Sequence, residues 1–401
     1  MTFDTMKTRL LSYFVLLSVC LSQGCVDAFD PKLALNADLV VVSAIITDQA
    51  GPQLVGLSRS RSRADSANVT TPISRATVTV LVNKTPVVLA ETATDPGTYQ
   101  FPTGFRGKVG DTYQLQFQTP EGVSYASSVE TMAAASPVAR AYSVFNPTGI
   151  KVTADAVSTP TNDVFIDFTD PADQRNFYFW RWRLHELQDW CATCTQGRYL
   201  IKDIGPVGSG PIDIIGCVSD KKLSPQNKFD YDCRGTCWEI FYSNTINIMS
   251  DIYTNGTPQT RYKVATIPIY QREPALVTVE QLSISANAYR YYRLVAEQSQ
   301  KTGTLADSPP APLAGNVRNQ ADPTENVVGY FSAAGMSTAY HKMSRNDVPA
   351  GNFRGLFFAQ NGRKPNVDVA HGTVFIGQGI PSALCVPGQN RTNKLPPGWN
   401  Q

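Results

Sequence analysis

The chain has 401 residues, of which 17% are charged, 42% hydrophobic and 10% aromatic, with 28 Gly and 27 Pro. This is a turn-rich globular make-up that excludes a disordered chain, a collagen and a coiled coil, and at ~100 to 200 residues per domain the length suggests two domains or one large β domain. Lys and Arg total 35 against 33 Asp and Glu, a net charge of +2, so no whole-molecule field attracts nucleic acid or an anionic membrane.

Residues 1–24 read as a secretory signal peptide. Lys7 and Arg9 precede a mostly apolar run from Leu10 to Leu21, which is too short for a bilayer that takes ~20 helical residues to cross. Met6 before Lys7 makes a tidier start than Met1. The run ends in Leu21-Ser22-Gln23-Gly24-Cys25, small residues before a cysteine, as at a lipoprotein processing site. Cys25 would then carry a diacylglycerol and an amide-linked acyl chain, more than the two chains that stable anchoring needs. The alternative is ordinary cleavage nearby, with Cys25 left unpaired or bridged. Residues 25–36 form a tether in which Asp27 and Asp30 resemble an acidic export signal. No later stretch reaches 18 apolar residues, so lipid is the expected anchor.

A first domain, an Ig-like β-sandwich, is expected over 37–135. Asp38 to Asp48 is a β-branched run closed by a Gly51-Pro52 turn, and Arg75 to Val82 alternates with Ala76, Val78, Val80 and Val82 on one face. Asp95-Pro96-Gly97 turns the chain into Thr98 to Phe101. Thr112 to Gln118 puts Tyr113, Leu115 and Phe117 on one face, and Val123 to Val129 follows. Arg59, Arg61 and Arg63 alternate with serines in the one basic run, which reads as a solvated loop or, more sharply, as a contact for an anionic partner. Ala133 to Pro137 is a small, Pro-containing linker.

The second domain, a further β-sandwich over 145–401, begins with strands at Gly149 to Val157 and Asn162 to Phe168. In Asn176 to Leu184 (NFYFWRWRL), Tyr178, Trp180, Trp182 and Leu184 share one side, opposite Phe177, Phe179, Arg181 and Arg183. The tryptophan side reads as core, with a ligand or partner face as its rival, since Trp is enriched in both. An irregular insertion over 187–240 follows. Eight cysteines less Cys20 in the leader and Cys25 at the lipid site leave Cys191, Cys194, Cys217, Cys233, Cys237 and Cys385. Outside the cytosol three disulfides are favoured over a four-thiolate zinc site built on the Cys191/Cys194 and Cys233/Cys237 pairs. Six cysteines allow ~15 connectivities, and the spacing does not choose among them. Arg261 to Ile269 and Ala275 to Ile284 continue the sheet. Ser285, Ala288, Tyr291, Tyr292, Val295 and Ser299 then recur at helical spacing, with Ser285 as N-cap and Gly303 as stop. Asp307 to Gly315 is extended and proline-rich, and Val327 to Ala334 is a late strand.

No G-x-S-x-G elbow, H-E-x-x-H helix or G-x-x-x-x-G-K-[ST] loop occurs, and no catalytic residue, cofactor or metal is expected. The glycines of 205–210 lie in the insertion with no helix after them. Asp167, Asp170 and Asp173 do not have the spacing of a calcium hand and read as turn formers. His185, His341 and His371 are isolated and read as structural or surface residues.

The segments LVVVSAIITD, GLSRS, PISRATVTV, DPGTYQF, GFRGKVGDTYQLQ, DFTDPAD, NFYFWRWR, EQSQKTGTLADSPPAPLAGN and NVVGYFSAAG, in this order, resemble the Bacteroidota outer-membrane lipoprotein family filed as domain of unknown function number four-two-four-nine. The N-terminal part also resembles the carboxypeptidase-regulatory-like β domains of TonB-dependent receptors. Two features depart from the family pattern: Cys385 stands alone, and LPPGWN replaces an aromatic ending. The resemblance implies an exported lipoprotein at the outer membrane whose partner is a TonB-dependent receptor, and it supplies no catalytic residues. The reading is therefore a non-enzymatic accessory or ligand-binding lipoprotein of a nutrient uptake system. Its rivals are an adhesive envelope protein that binds glycan or matrix through the aromatic strand, and a cryptic hydrolase.

Overall fold

The computed structural model describes residues 38–63, 66–150, 158–192, 195–196, 198–200, 217–219, 227–228, 231–233, 235–299, 313–350, 356, 382–383 and 385–400. The β-branched run after the tether forms β1 (Asp38–Thr47). It is followed by β2 (Leu54–Arg63), β3 (Ser66–Pro72), β4 (Thr77–Val82), β5 (Thr85–Glu91), β6 (Thr98–Gln100), β7 (Thr112–Gln118), β8 (Ser124–Ser127) and β9 (Glu130–Thr131). The expected basic loop is thus a strand: Arg59, Arg61 and Arg63 all lie in β2. Alternating serines sustain a period-2 backbone there that charge alone masks. Asn83 and Lys84, both at positive φ (47° and 70°), make the two-residue turn joining β4 to β5, where Val82 faces Thr85.

Further along come β10 (Val138–Ile150), β11 (Thr159–Thr169) and β12 (Phe177–Leu187), then six short strands: β13 (Trp190–Ala192), β14 (Thr195–Gln196), β15 (Arg198–Leu200), β16 (Cys217–Ser219), β17 (Asn227–Lys228) and β18 (Tyr231–Cys233). The chain continues through β19 (Trp238–Tyr242), β20 (Asn247–Ser250), β21 (Pro258–Pro268), β22 (Ala275–Ser283), helix α1 (Ala286–Ser299), β23 (Val317–Asn319), β24 (Val327–Met343), β25 (Ser382–Ala383) and β26 (Arg391–Thr392). The protein is mainly β with one long helix among the described residues, as expected. Ser285 caps that helix, its Oγ accepting from the Ala288 amide at 3.1 Å. The expected stop, Gly303, lies outside the described residues.

Contacts divide the chain into two units, residues 1–38 with 60–71, and residues 39–59 with 72–401. In the first, the end of β2 pairs with β3. The second holds two sandwich cores. In the first core, strands run in the order β23-β8-β7-β4-β5-β6-β2-β1-β24, and the path folds over so that Val40, Val42 and Ile46 of β1 meet Val78 and Val80 of β4 and Tyr113, Leu115 and Phe117 of β7. Burying these alternate side chains holds the layers together, at ~25 cal/mol for each Å² of apolar surface removed from water.

Four residues of this core, Val317, Val327, Phe331 and Ala333, come from a stretch that the sequence assigns to the second domain. β24 explains this. Residues 327–334 of β24 pair in parallel with Val40 to Thr47 of β1, and residues 335–343 then pair antiparallel with β22. Gly335 sits where the partner changes, against the Ala133 carbonyl, to which its own N–H donates at 2.9 Å. One strand thus serves both sandwiches, and the expected linker at 133–137 packs at the crossing.

The second core lies between the sheet β10-β11-β21 and the sheet formed by β24, β22, β12, β19 and β20. Val164, Ile166 and Phe168 of β11 and Val264 and Ile267 of β21 face Tyr178, Trp180 and Leu184 of β12 and Val277 and Val279 of β22. On the far side of the second sheet, Phe177, Phe179, Leu282 and Tyr330 pack under Ala288, Tyr289, Tyr291 and Tyr292 of α1. The Phe179 and Tyr292 rings stack with centroids 4.9 Å apart. The expected insertion contributes β19, which pairs with β12 and so belongs to the main sheet.

Candidate functional site

The aromatic strand is core. Tyr178 and Trp180 are 0% and 1% exposed, and Trp182 is partly buried against the same cluster. Trp180 Nε1 donates to Gln281 Oε1 at 2.9 Å, Gln281 Nε2 donates to the Ser136 carbonyl at 2.8 Å, and Ser136 Oγ lies 3.0 Å from the Tyr178 hydroxyl. The Tyr178 hydroxyl donates to Asp170, whose other oxygen accepts from the Gly256 amide at 3.0 Å. Burial and Asp170 together raise the Tyr178 phenol above its ordinary range. The buried polar atoms of Tyr178 and Trp180 are answered from within the protein, which suits packing. On the other face, Arg181 and Arg183 both donate to Glu280, Arg183 at 2.7 Å.

The remaining sequence-level candidates are dispersed. Arg59 lies 4.0 Å from Glu121. Asp170 is an internal anchor, and Asp167 accepts from the Arg261 amide at 2.8 Å. Among the described residues, one group of three His, Cys, Asp or Glu side chains comes within metal-binding reach, Cys191, Cys237 and Cys385. Those sulfurs are already in disulfides. Cys191 bridges Cys233 and Cys237 bridges Cys385, with Cα separations of 4.6 and 5.5 Å, so three members of the alternative zinc set are taken up. The lone Cys385 therefore has its partner inside the insertion, and the unusual ending packs as well, with Trp399 4.3 Å from the Trp238 ring. Cys25, Cys194 and His371 lie outside the described residues, and Cys217 falls on β16. His185 is buried with Nδ1 unpartnered, and burial, helped by Arg183, lowers its pKa to about 4. His341 Nε2 sits 2.9 Å from Ser143 Oγ, and burial lowers its pKa too.

Sequence reading missed two polar sites. The first is internal: Arg345 and Glu186, 2% and 0% exposed, form a two-pronged pair, Nη1 reaching Oε2 at 2.9 Å and the carbonyls of Gln271 and Glu273 at 3.0 and 3.1 Å. Such a pair, fully hydrogen-bonded, is structural. The second is a surface groove of about 760 Å³ between the start of α1, which contributes Asn287, Arg290, Tyr291 and Leu294, and the edge formed by β8, β23 and Ala314 to Asn316, with Tyr330 also in its wall. Behind Tyr330 is Glu130, 2% exposed, whose Oε1 accepts from the Tyr330 hydroxyl at 2.8 Å. Burial pushes the Glu130 carboxyl up, against hydrogen bonds from Ser285, Tyr330, Ser128 and Asn316. Glu130 thereby ties the start of α1 to β24 and to the groove wall. Only the spacing of α1 pointed toward this place.

The family described as Domain of unknown function (DUF4249) matches residues 26–339, which is most of the chain. The chain belongs to this family. No curated protein and no solved structure matches it. The matched segment ends within β24, after the stretch that pairs with β1, so it takes in β1 and the part of β24 paired with it.

Proposed function

We propose that this DUF4249 protein is a non-enzymatic lipoprotein of the outer membrane, held there by lipid on Cys25, that assists a TonB-dependent receptor in nutrient uptake by binding the nutrient or the receptor's outer face. One observation carries the reading: an apolar leader ending at Cys25 stands before a β body bridged at Cys191–Cys233 and Cys237–Cys385. Disulfides persist in oxidising compartments outside the cytosol, and a lipidated cysteine holds such a body at a membrane. Among the described residues, the groove between α1 and the first sandwich offers a concavity suited to a small ligand. The rival adhesive reading is weakened because Tyr178 and Trp180, the face it would use, are buried. The test is affinity capture of the native protein from detergent-solubilised outer membrane. A stoichiometric TonB-dependent receptor in the eluate is the expected result. Recovery without a receptor, together with glycan-array binding or turnover of a polymer, would replace the proposal.

A further inference from the structure

The groove beside α1 carries two cations with no anion to answer them. Arg290 and Arg318 both line it, and none of its lining residues is acidic. Neither arginine has a carboxylate within ion-pair distance among the described residues; Arg293, on the same helix, is paired with Glu297 at 3.4 Å. Arg318 is held in place by one nitrogen, Nη1, which donates to the carbonyls of Gly315 and Val317 at 2.8 and 3.0 Å. Its Nε and Nη2 are left for an acceptor. Arg290 donates through Nη2 to Asn287 on the first turn of the helix, which fixes its guanidinium. The buried carboxyl behind Tyr330, Glu130, accepts from the Tyr330 hydroxyl.

The rest of the lining is polar but neutral. Gln114 donates to the Ser127 carbonyl at 2.9 Å, which leaves its own amide oxygen as an acceptor. Tyr291 accepts from the Gly329 amide at 2.9 Å, which leaves its O–H as a donor. A guanidinium presents a planar fork that matches a carboxylate, while side-chain amides and phenols match hydroxyls. A volume of about 760 Å³ is in the range of small-ligand sites. We propose that this groove binds a small hydroxylated carboxylic acid of the sugar-acid class, its carboxylate between Arg290 and Arg318 and its hydroxyls on Gln114, Asn287 and Tyr291. The site stands on these residues alone and holds whether or not the protein partners a receptor.

Calorimetry of the full mature chain with D-glucuronate, D-glucose and inorganic phosphate tests it. Glucuronate should bind saturably, with glucose and phosphate each about tenfold weaker or worse. Arg290→Gln and Arg318→Gln should each weaken glucuronate about tenfold and leave the melting temperature of the ligand-free protein in place, since exposed substitutions have small effects on stability. Arg318→Lys, which keeps the charge and loses the fork, should recover only part of the loss. Equal binding of glucose or phosphate, undiminished binding in the double glutamine variant, or no saturable binding of glucuronate would overturn the proposal.

Discussion

Trp180 shows how far a single residue can be read before the fold is known. Period-2 spacing in NFYFWRWRL places Tyr178, Trp180 and Trp182 together, and arginines on the opposite side mark the tryptophan side as the inner one. What the strand cannot announce is its partners: Gln281 and Glu280 come from β22 about a hundred residues later, as the 101- and 99-residue separations of these hydrogen bonds record. Trp180→Ala removes a fully buried ring and its hydrogen bond, and should cost ~3 to 5 kcal/mol in denaturant unfolding. A variant with unchanged stability would mean the ring is not core. His185 gives a pH prediction of definite sign. Its folded pKa, about 4, lies below the ordinary 6.5, so the unfolded chain takes up a proton first. Stability is therefore complete above about pH 6.5, falls as the pH drops toward 4 by at most ~3 kcal/mol, and levels off below that. His185→Gln should flatten this part of the pH profile of urea midpoints; an unaltered slope would assign it to other groups.

Among the elements, the strands with clean alternation were the legible ones. β1, β4, β7, β11, β12, β21, β22 and the helix all appear within a few residues of where spacing placed them. β10 was not legible before Gly149, where Asn146-Pro147-Thr148-Gly149 breaks the alternation; the strand expected over Gly149 to Val157 shares only 149–150 with it, and 151–157 lie outside the described residues. In the structure that stretch is a register shift between Asn146 and Ile150, at the edge of its sheet, where Pro is tolerated. The short strands of the insertion have too little periodicity to be seen, and the choice of disulfide partners depends on which strands meet. The bridges enclose separations of 42 and 148 residues and should each contribute ~2 to 4 kcal/mol. Intact mass after alkylation without reduction should show no free thiol on Cys191, Cys233, Cys237 or Cys385, and none on Cys194 or Cys217 if the third expected bridge is present. Stoichiometric zinc in freshly isolated protein would contradict the pairing. At the crossing, Gly329 has φ +95° and a Cβ there would meet the Val42 carbonyl oxygen. Gly329→Ala should therefore cost about 2 kcal/mol or more, combining backbone strain with a clash across the β1–β24 pairing.

For the whole molecule, two sandwiches in sequence were legible from turn spacing, but their sharing of β24 was not. Parallel pairing between strands near opposite ends of the chain leaves no local pattern, and Val327 to Ala334 looks like any buried strand. The groove was invisible for the same reason, since its lining comes from three separate stretches, 114–128, 287–294 and 314–330. Sharing a strand predicts that the two cores of the second unit unfold together: calorimetric and van't Hoff enthalpies should agree, and two resolved transitions would show that the crossing does not couple them. The proposed role beside a TonB-dependent receptor depends on where this body is held. The most direct measurement is membrane fractionation with intact mass, on the wild type and on Cys25→Ser. The account predicts wild-type protein in the outer-membrane fraction, beginning at Cys25 and carrying the mass of its acyl chains, while Cys25→Ser is released or keeps its leader. A Cys25→Ser protein that is normally processed and still membrane-bound would contradict it.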